Sequence, residues 1–155
     1  MFFNCAIAQS QDDTLNGLQA KASLYLSQLY QDKMFDTVYK QWNLITFSEA
    51  EEIYKKRKKV FKTRQELINE LRKDFNGFYK SSKNFKLLSF DNRTLSHEGG
   101  NLNAYFEYSY QEDVDGKSSR ASSLIYFIYN KRHAKWQVVD FRVPTLLGSP
   151  QAWMK

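Results

Sequence analysis

The residue best suited to acid–base chemistry is Asp140, which lies in the stretch 135–143 near the end of the 155-residue chain. Its immediate neighbours are apolar, and an apolar setting raises the pKa of a carboxyl group, so that it can take a proton from a substrate near neutral pH. In an extended segment Asp140 shares one face with Trp136, Val138 and Arg142. The alternative is that this face emerges into solvent, where Asp140 and Arg142 form ion pairs across neighbouring strands.

The other reactive side chains are few and scattered. The sequence has one cysteine, Cys5, and two histidines, His97 and His133, which lie in stretches with the composition of exposed turns. A structural zinc site needs about four such ligands at defined spacing, and neither glycine-rich phosphate-binding motif occurs. We therefore expect no metal and no cofactor.

A cluster of positive charge occupies residues 55–64, which hold seven of the 23 lysines and arginines. Successive residues of a helix are about 100° apart, so this run spreads around the helix, and only Lys55, Lys59 and Lys62 align as a basic patch. Aromatic residues that could stack on bases are sparse here, which argues against nucleic acid as a partner. A solvated helix face is one interpretation, and contact with an acidic protein or anionic lipid is the other.

The first half of the sequence has the periodicity of helices, which must position these groups. In residues 14–30 apolar side chains recur every three or four positions, which predicts an amphipathic helix. A short second helix is predicted at 34–42. Residues 48–51 have the spacing of a capping box, so a long helix should run from there to about Tyr79, with a break or kink near Lys62.

The second half changes to a period of two after Ser81, which indicates β-strands. Short turn-like stretches at 96–101, 113–117 and 130–135 connect the runs and require antiparallel neighbours. Helices followed by a meander sheet form an α+β fold, with the helices packed on one face of a curved four-stranded antiparallel sheet. The predicted strands are 84–95, 102–112, 119–130 and 135–143.

This element order, together with the closing "W-x-V-V-x-F" strand at 136–141, resembles the NTF2-like (cystatin-like) α+β cone superfamily over residues 14–143. The resemblance implies a single domain with a conical pocket, and a non-catalytic domain that binds a small apolar ligand in the cone or a protein on its surface. An alternative is an isomerase- or dehydratase-type enzyme that uses Asp140 with Tyr126 or Tyr108. A further alternative is an immunity or inhibitor protein that binds a toxin. The superfamily supports many functions, so the fold alone does not decide among these.

The third predicted strand is apolar on both faces. Leu124, Tyr126 and Ile128 alternate with Ile125, Phe127 and Tyr129, as in a strand that is covered on both sides. Helices cover only one face of a single sheet, and in NTF2-like proteins a second copy often covers the other. We therefore expect a homodimer with Ile125, Phe127 and Tyr129 as interface residues. The alternative cover is one of the two terminal tails, either the N-terminal one or the C-terminal tail at 144–155 with Leu146, Leu147 and Trp153.

The first eight residues resemble the end of a secretory leader, because Ala6-Ile7-Ala8 fits a cleavage site before polar residues. We interpret residues 1–8 as the remnant of a leader, which predicts a periplasmic or secreted protein. A cytoplasmic protein with a mildly apolar N-terminus is the alternative. The sequence contains no apolar stretch of the length that a transmembrane helix needs.

Overall fold

The computed structural model describes the backbone of residues 2–98 and 100–148 and the side chains of residues 11–97 and 100–148. Most of the helices precede the sheet, and one short helix follows it. The helices are α1 (Phe2–Leu26), α2 (Phe35–Val38), α3 (Leu44–Lys56), α4 (Arg64–Ser81) and α5 (Arg142–Gly148). None of the helices in the described ranges is long and apolar enough to cross a membrane.

The end of α1 departs from regular α-helical geometry. A π-helical turn, Ser27–Gln31, continues the helix, and a 3₁₀ turn, Tyr39–Gln41, follows α2. A π turn bonds residues five apart and therefore shifts the direction of the side chains that follow it. The helix predicted at 14–30 is confirmed as an element, with this local change at its C-terminal end.

The helix predicted from residue 48 to Tyr79 is in fact two helices. α3 begins after Asn43, whose side chain accepts a hydrogen bond from the backbone N–H of Ile45, so the capping box at residues 48–51 does not start it. α3 ends at Lys56, and the chain turns through Lys58, which has a positive φ of 60°. The start of α4 is capped by Thr63, whose side chain accepts a hydrogen bond from the backbone of Glu66. The break predicted near Lys62 is therefore complete.

The sheet is a four-stranded antiparallel meander, as predicted. Neighbours follow chain order, and the sheet is open rather than closed into a barrel. Register shifts between β1 and β2 bend this pair, as β-bulges do. A two-residue turn at Asp115-Gly116, with φ values of 52° and 80°, joins the second and third strands. The strands are β1 (Ser82–Glu98), β2 (Asn101–Val114), β3 (Lys117–Asn130) and β4 (Lys135–Asp140).

The hydrophobic core lies between the helices and one face of the sheet, which we call the inner face. Side chains that alternate along β2, β3 and β4 are buried against α1 and α4, which confirms that the helices pack on one face. The sheet contributes Ala104, Phe106, Tyr108, Tyr110, Ile125, Phe127 and Val138; the helices contribute Leu18, Ala22, Leu26, Leu67, Leu71, Phe75 and Phe78.

The last strand is shorter than predicted. β4 ends at Asp140, and Arg142 begins α5, in which Pro144 lies in the first turn, where its missing N–H is not needed. The predicted tail at 144–155 is therefore in part a helix, and α5 packs against α3. On the free edge of β4, Trp42 forms a parallel bridge with Val138, so the segment before α3 covers part of this edge.

Two predictions fall on residues that the structure does not fully describe. The leader remnant at residues 1–8 includes Met1, which lies outside the described residues, and residues 2–8, of which only the helical backbone is described. Trp153 in the predicted tail also lies outside the described residues.

Candidate functional site

Asp140 lies in the interior of the protein, at the end of β4, and is fully buried. Its Oδ2 accepts hydrogen bonds from the hydroxyl groups of Tyr25, at 2.9 Å, and Tyr30, at 2.8 Å. Its Oδ1 accepts a hydrogen bond from the backbone N–H of Arg142 at 2.9 Å. The carboxyl group therefore has three donors, which is the arrangement by which buried polar groups offset their loss of water.

The donors reach Asp140 because of the geometry around α1. In a regular α-helix, residues five apart point about 140° away from each other. The π turn changes this relation, and the hydroxyl groups of Tyr25 and Tyr30 meet at one carboxylate oxygen. The indole N–H of Trp42 then donates to the hydroxyl oxygen of Tyr25 at 2.7 Å, which extends the network to the segment before α3.

The electrostatics of this network keep the tyrosines protonated. Burial raises the pKa of Asp140, and the hydrogen bonds from Tyr30, Tyr25 and the backbone of Arg142 lower it without offsetting the burial. Burial, followed by the charge of Asp140, also raises the pKa values of Tyr25 and Tyr30 well above their ordinary value. The two phenols therefore remain hydrogen-bond donors to the carboxyl group at physiological pH.

The two tyrosines that were predicted to assist Asp140 lie on opposite faces of the sheet. Tyr108 is buried on the inner face, where burial and then the charge of Asp140 raise its pKa. Tyr126 pairs with Val139 and points to the opposite face of the sheet, which we call the outer face. The pairing of Asp140 with Tyr126 is therefore wrong, because successive residues of a strand point to opposite faces and the sheet separates the two groups.

Arg142 is also buried, in a cage of aromatic rings. Its guanidinium carbon lies 4.3 Å from the centroid of the Tyr30 ring and 4.4 Å from that of Tyr110. Its Nη2 donates to Oε1 of Glu112 in a close ion pair, and Oε2 of Glu112 accepts a hydrogen bond from Ser82 at 3.2 Å. The alternative of a solvent-exposed pair between Asp140 and Arg142 is wrong, since both residues are buried and the guanidinium pairs with Glu112.

A cleft of about 270 Å³ between α1 and the strands β3 and β4 adjoins this network at Tyr25. Tyr25, Phe127, Trp136 and Val138 line it, and Asp140 does not. Tyr25 thus contributes to the cleft wall while its hydroxyl donates to the carboxyl group. A substrate in this cleft would have to displace a tyrosine ring to reach Asp140.

The aligned basic patch does not form. Lys55 lies in the last turn of α3, whereas Lys59 and Lys62 follow the end of that helix, so the three do not share a helical face. Lys59 forms an ion pair with Glu70 at 2.5 Å. Lys55 lies 3.5 Å from Glu52. The prediction of one basic helix face is wrong because it assumed an unbroken helix.

The predicted interface residues lie on the inner face. Ile125 is fully buried and Phe127 is only 2% exposed, so the helices cover both within one chain. Tyr129 is half-buried and packs against the ring of Trp136, with centroids 5.3 Å apart. The assignment of Ile125 and Phe127 to a dimer interface is therefore wrong, because a period of two cannot tell which of two apolar faces the helices cover.

The outer face carries the other set of apolar residues. Leu124 is 42% exposed. Beside it, the ring of Tyr126 lies 5.0 Å from those of Tyr105 and Phe141. A cleft of about 480 Å³ adjoins this patch and is lined by Glu107, Ser122, Ser123, Leu124, Phe141 and Thr145.

The histidines are exposed and separated. His133 lies in the turn between β3 and β4, as predicted, and His97 lies within β1 rather than in a turn. Among the residues that the structure describes, no group of three histidine, cysteine, aspartate or glutamate side chains could hold a metal ion.

Sequence reasoning missed the groups that surround Asp140 and Arg142. Tyr25, Tyr30 and Trp42 are about 100 residues away from Asp140 in the chain, and no short motif connects them. Glu112 did leave a signal, because it continues the alternation of Phe106, Tyr108 and Tyr110 along one face of β2. A carboxylate at the end of a buried stripe indicates a buried partner of opposite charge.

No protein-family model, curated protein or solved structure matches this chain.

Proposed function

We propose that the protein is a non-catalytic binding domain of NTF2-like type that associates with a second copy of itself through the outer face of its sheet. The observation that carries the proposal is an apolar patch on that face, in which Leu124 is exposed and Tyr105, Tyr126 and Phe141 are half-buried. Leu124 is 42% exposed and adjoins the rings of Tyr126 and Phe141, whereas the inner face is covered by helices. Contiguous apolar surface of this kind is typical of interaction sites.

The setting of Asp140 supports a binding role over catalysis. A general base must lie within hydrogen-bond reach of a substrate, in a site that the substrate can enter. Asp140 instead receives three hydrogen bonds from the protein itself and does not line the adjacent cleft. The network therefore serves to anchor α1 and the start of α5 to the last strand.

The composition of the outer face supports a symmetric partner. A two-fold interface brings the same patch together from both subunits, so the patch must complement itself. Tyrosine suits such a position because it buries a ring and keeps a hydroxyl group for hydrogen bonding. Glu107 and Arg120 point to the same outer face, one of each charge, and the serines Ser109 and Ser122 lie between them on neighbouring strands.

The test is the mass of the protein in solution, measured by light scattering at high micromolar concentration. We expect the wild type to have twice the monomer mass of 18.4 kDa. Leu124→Asp should give a monomer with a near-native circular dichroism spectrum, because a charge at the centre of the interface would lose its water on association.

The matched control is Val60→Asp. Val60 is 77% exposed in the connection between α3 and α4 and is not part of the sheet, so the same kind of charge there should leave the dimer intact. A monomeric wild type, or a Leu124→Asp variant that keeps the dimer mass, would contradict the proposal.

A further inference from the structure

A groove of about 410 Å³ lies between α3 and α5, on the side of the molecule formed by helices. Most of its lining comes from one face of α3, where residues four apart lie above one another. Leu44 is 67% exposed at one end, and Pro144 contributes from α5. The lining residues are Leu44, Ile45, Ser48, Glu49, Glu52, Ile53 and Pro144.

Glu49 is the unusual residue of this groove. Its Oε2 is buried and has no hydrogen-bond partner, and burial raises the pKa of its carboxyl group. A buried acceptor without a donor costs free energy, and the cost is larger for a charged group. A ligand in the groove that places an N–H donor against this carboxyl group, with a rotation of the side chain that brings Oε2 to the groove surface, would remove this cost.

We propose that the groove binds a small amphiphilic amine, with its apolar body against Leu44, Ile45 and Ile53 and its ammonium group donating to Glu49. Three features of the groove favour this class of ligand. The lining is largely aliphatic, and the unpaired polar atom is an acceptor. Of the two other polar lining residues, Ser48 and Glu52, Glu52 is also acidic, with Lys55 at 3.5 Å from its carboxyl group. The volume lies within the range of roughly 300–1,000 Å³ that is usual for small-molecule sites.

The proposal is independent of the proposed dimer. The groove lies between two helices, whereas the dimer patch lies on the outer face of the sheet. The groove and the cleft beside Leu124 have no lining residue in common. A failure of one therefore leaves the other in place.

The experiment titrates the full chain with decylammonium below its critical micelle concentration. Binding is followed by calorimetry and by the ¹³C shifts of labelled isoleucine methyl groups. The shifts of Ile45 and Ile53 should change, while that of Ile125 in the core should not. Octylammonium should bind up to about 15-fold more weakly, since each buried CH₂ contributes about 0.8 kcal/mol.

Variants of α3 test the role of the carboxyl group. Glu49→Gln should weaken decylammonium binding at least about tenfold, because a charge-assisted hydrogen bond contributes about 1.5–3 kcal/mol. Glu51→Gln is the matched control, since it makes the same change on the same helix outside the groove, and it should bind like the wild type. If Glu49→Gln does not fold, Leu44→Ser at an exposed position replaces it, and a loss of several-fold is expected.

A second comparison tests the hydrogen bond itself. Decyltrimethylammonium has the charge but no N–H donor, and it should bind more weakly than decylammonium. Equal affinity for decylammonium and the neutral decyl maltoside would overturn the proposal, because the groove would then recognise only the alkyl chain. Nuclear Overhauser contacts between Ile53 and Trp153 in the free protein would also overturn it, because the chain's own residues 149–155 would then occupy the groove.

Discussion

Replacing Glu112 with Gln tests whether the buried ion pair of Glu112 and Arg142 organises the interior. The substitution keeps the shape of the side chain and removes its charge. Arg142 is 3% exposed, so its guanidinium group would remain in the interior without a counter-charge. It cannot escape this cost by losing its proton. In the wild type burial lowers the pKa of Arg142, but Tyr30, Glu112 and Tyr110 raise it above its ordinary value. In the variant, which lacks the charge of Glu112, the guanidinium still keeps its proton because arginine is not deprotonated in proteins.

Glu112→Gln should lower the free energy of unfolding by about 3–5 kcal/mol, which is the usual effect of removing one partner of a buried ion pair. The rings of Tyr30 and Tyr110 face the guanidinium before and after the substitution, so their attraction does not reduce the difference. Domains have a free energy of unfolding of about 5–15 kcal/mol, so this loss would be a large fraction of the total. At about 2–4 °C per kcal/mol for a chain of this size, the Tm should fall by about 6–20 °C.

The assay is urea unfolding of the wild type, Glu112→Gln, Arg142→Met and the double variant Glu112→Met/Arg142→Met, followed by tryptophan fluorescence. The double variant should recover most of the lost stability, because it leaves no charge in the interior. A cost below about 1 kcal/mol for Glu112→Gln, or a double variant no more stable than that single variant, would refute the reasoning.

Three further predictions concern the interior, the backbone and the N-terminus. Burial raises the folded-state pKa of Asp140, so its contribution to stability is fully present below about pH 4 and is lost as the pH rises through the folded value. The loss in free energy of unfolding caused by Asp140→Asn should therefore be largest at low pH and should become smaller as the pH rises. A loss that increases with pH, measured by chemical denaturation, would contradict this. Gly17→Ala, in the interior of α1 with nothing near the added Cβ, should raise the free energy of unfolding by about 0.5–1 kcal/mol, whereas Gly116→Ala, at a φ of 80°, should lower it by about 1 kcal/mol. If the protein is exported, its intact mass from the native host should correspond to cleavage after Ala8, and retention of Cys5 would count against the leader.

The secondary structure could be predicted from local pattern because the pattern has a local cause. A period of two after Ser81 follows from the alternation of side chains in a strand, and all four strands and their antiparallel order are present. Thr63 and Glu66 cap α4 as their spacing indicates. The start of α3 was misassigned because the asparagine cap at Asn43 lacks the spacing of a capping box, and only the structure shows its hydrogen bond to the backbone.

The candidate site was predicted only in part, because its groups come from distant parts of the chain. Asp140 was singled out from the sequence as a carboxyl group between apolar neighbours, and burial raises its pKa. The hydrogen-bond donors to Asp140 were not predicted from the sequence. Tyr25 and Tyr30 reach the same carboxylate oxygen only because of the π turn, and the spacing of apolar residues in a helix does not reveal such a turn. The strand β4 ends at Asp140, and Arg142, two residues later, forms a buried ion pair with Glu112 instead of facing solvent. The sequence did not show where this strand ends.

The sequence by itself determined the element order, the antiparallel meander and the presence of two apolar faces on β3, because propensity and periodicity act over a few residues. Only the tertiary structure decided which of those faces the helices cover, and hence that Phe127 lies in the core while Leu124 remains exposed. The two faces have nearly equal apolar content, so local pattern cannot rank them. The choice depends on how α1 and α4 pack across the whole sheet, which is a property of the assembled chain and of no single segment.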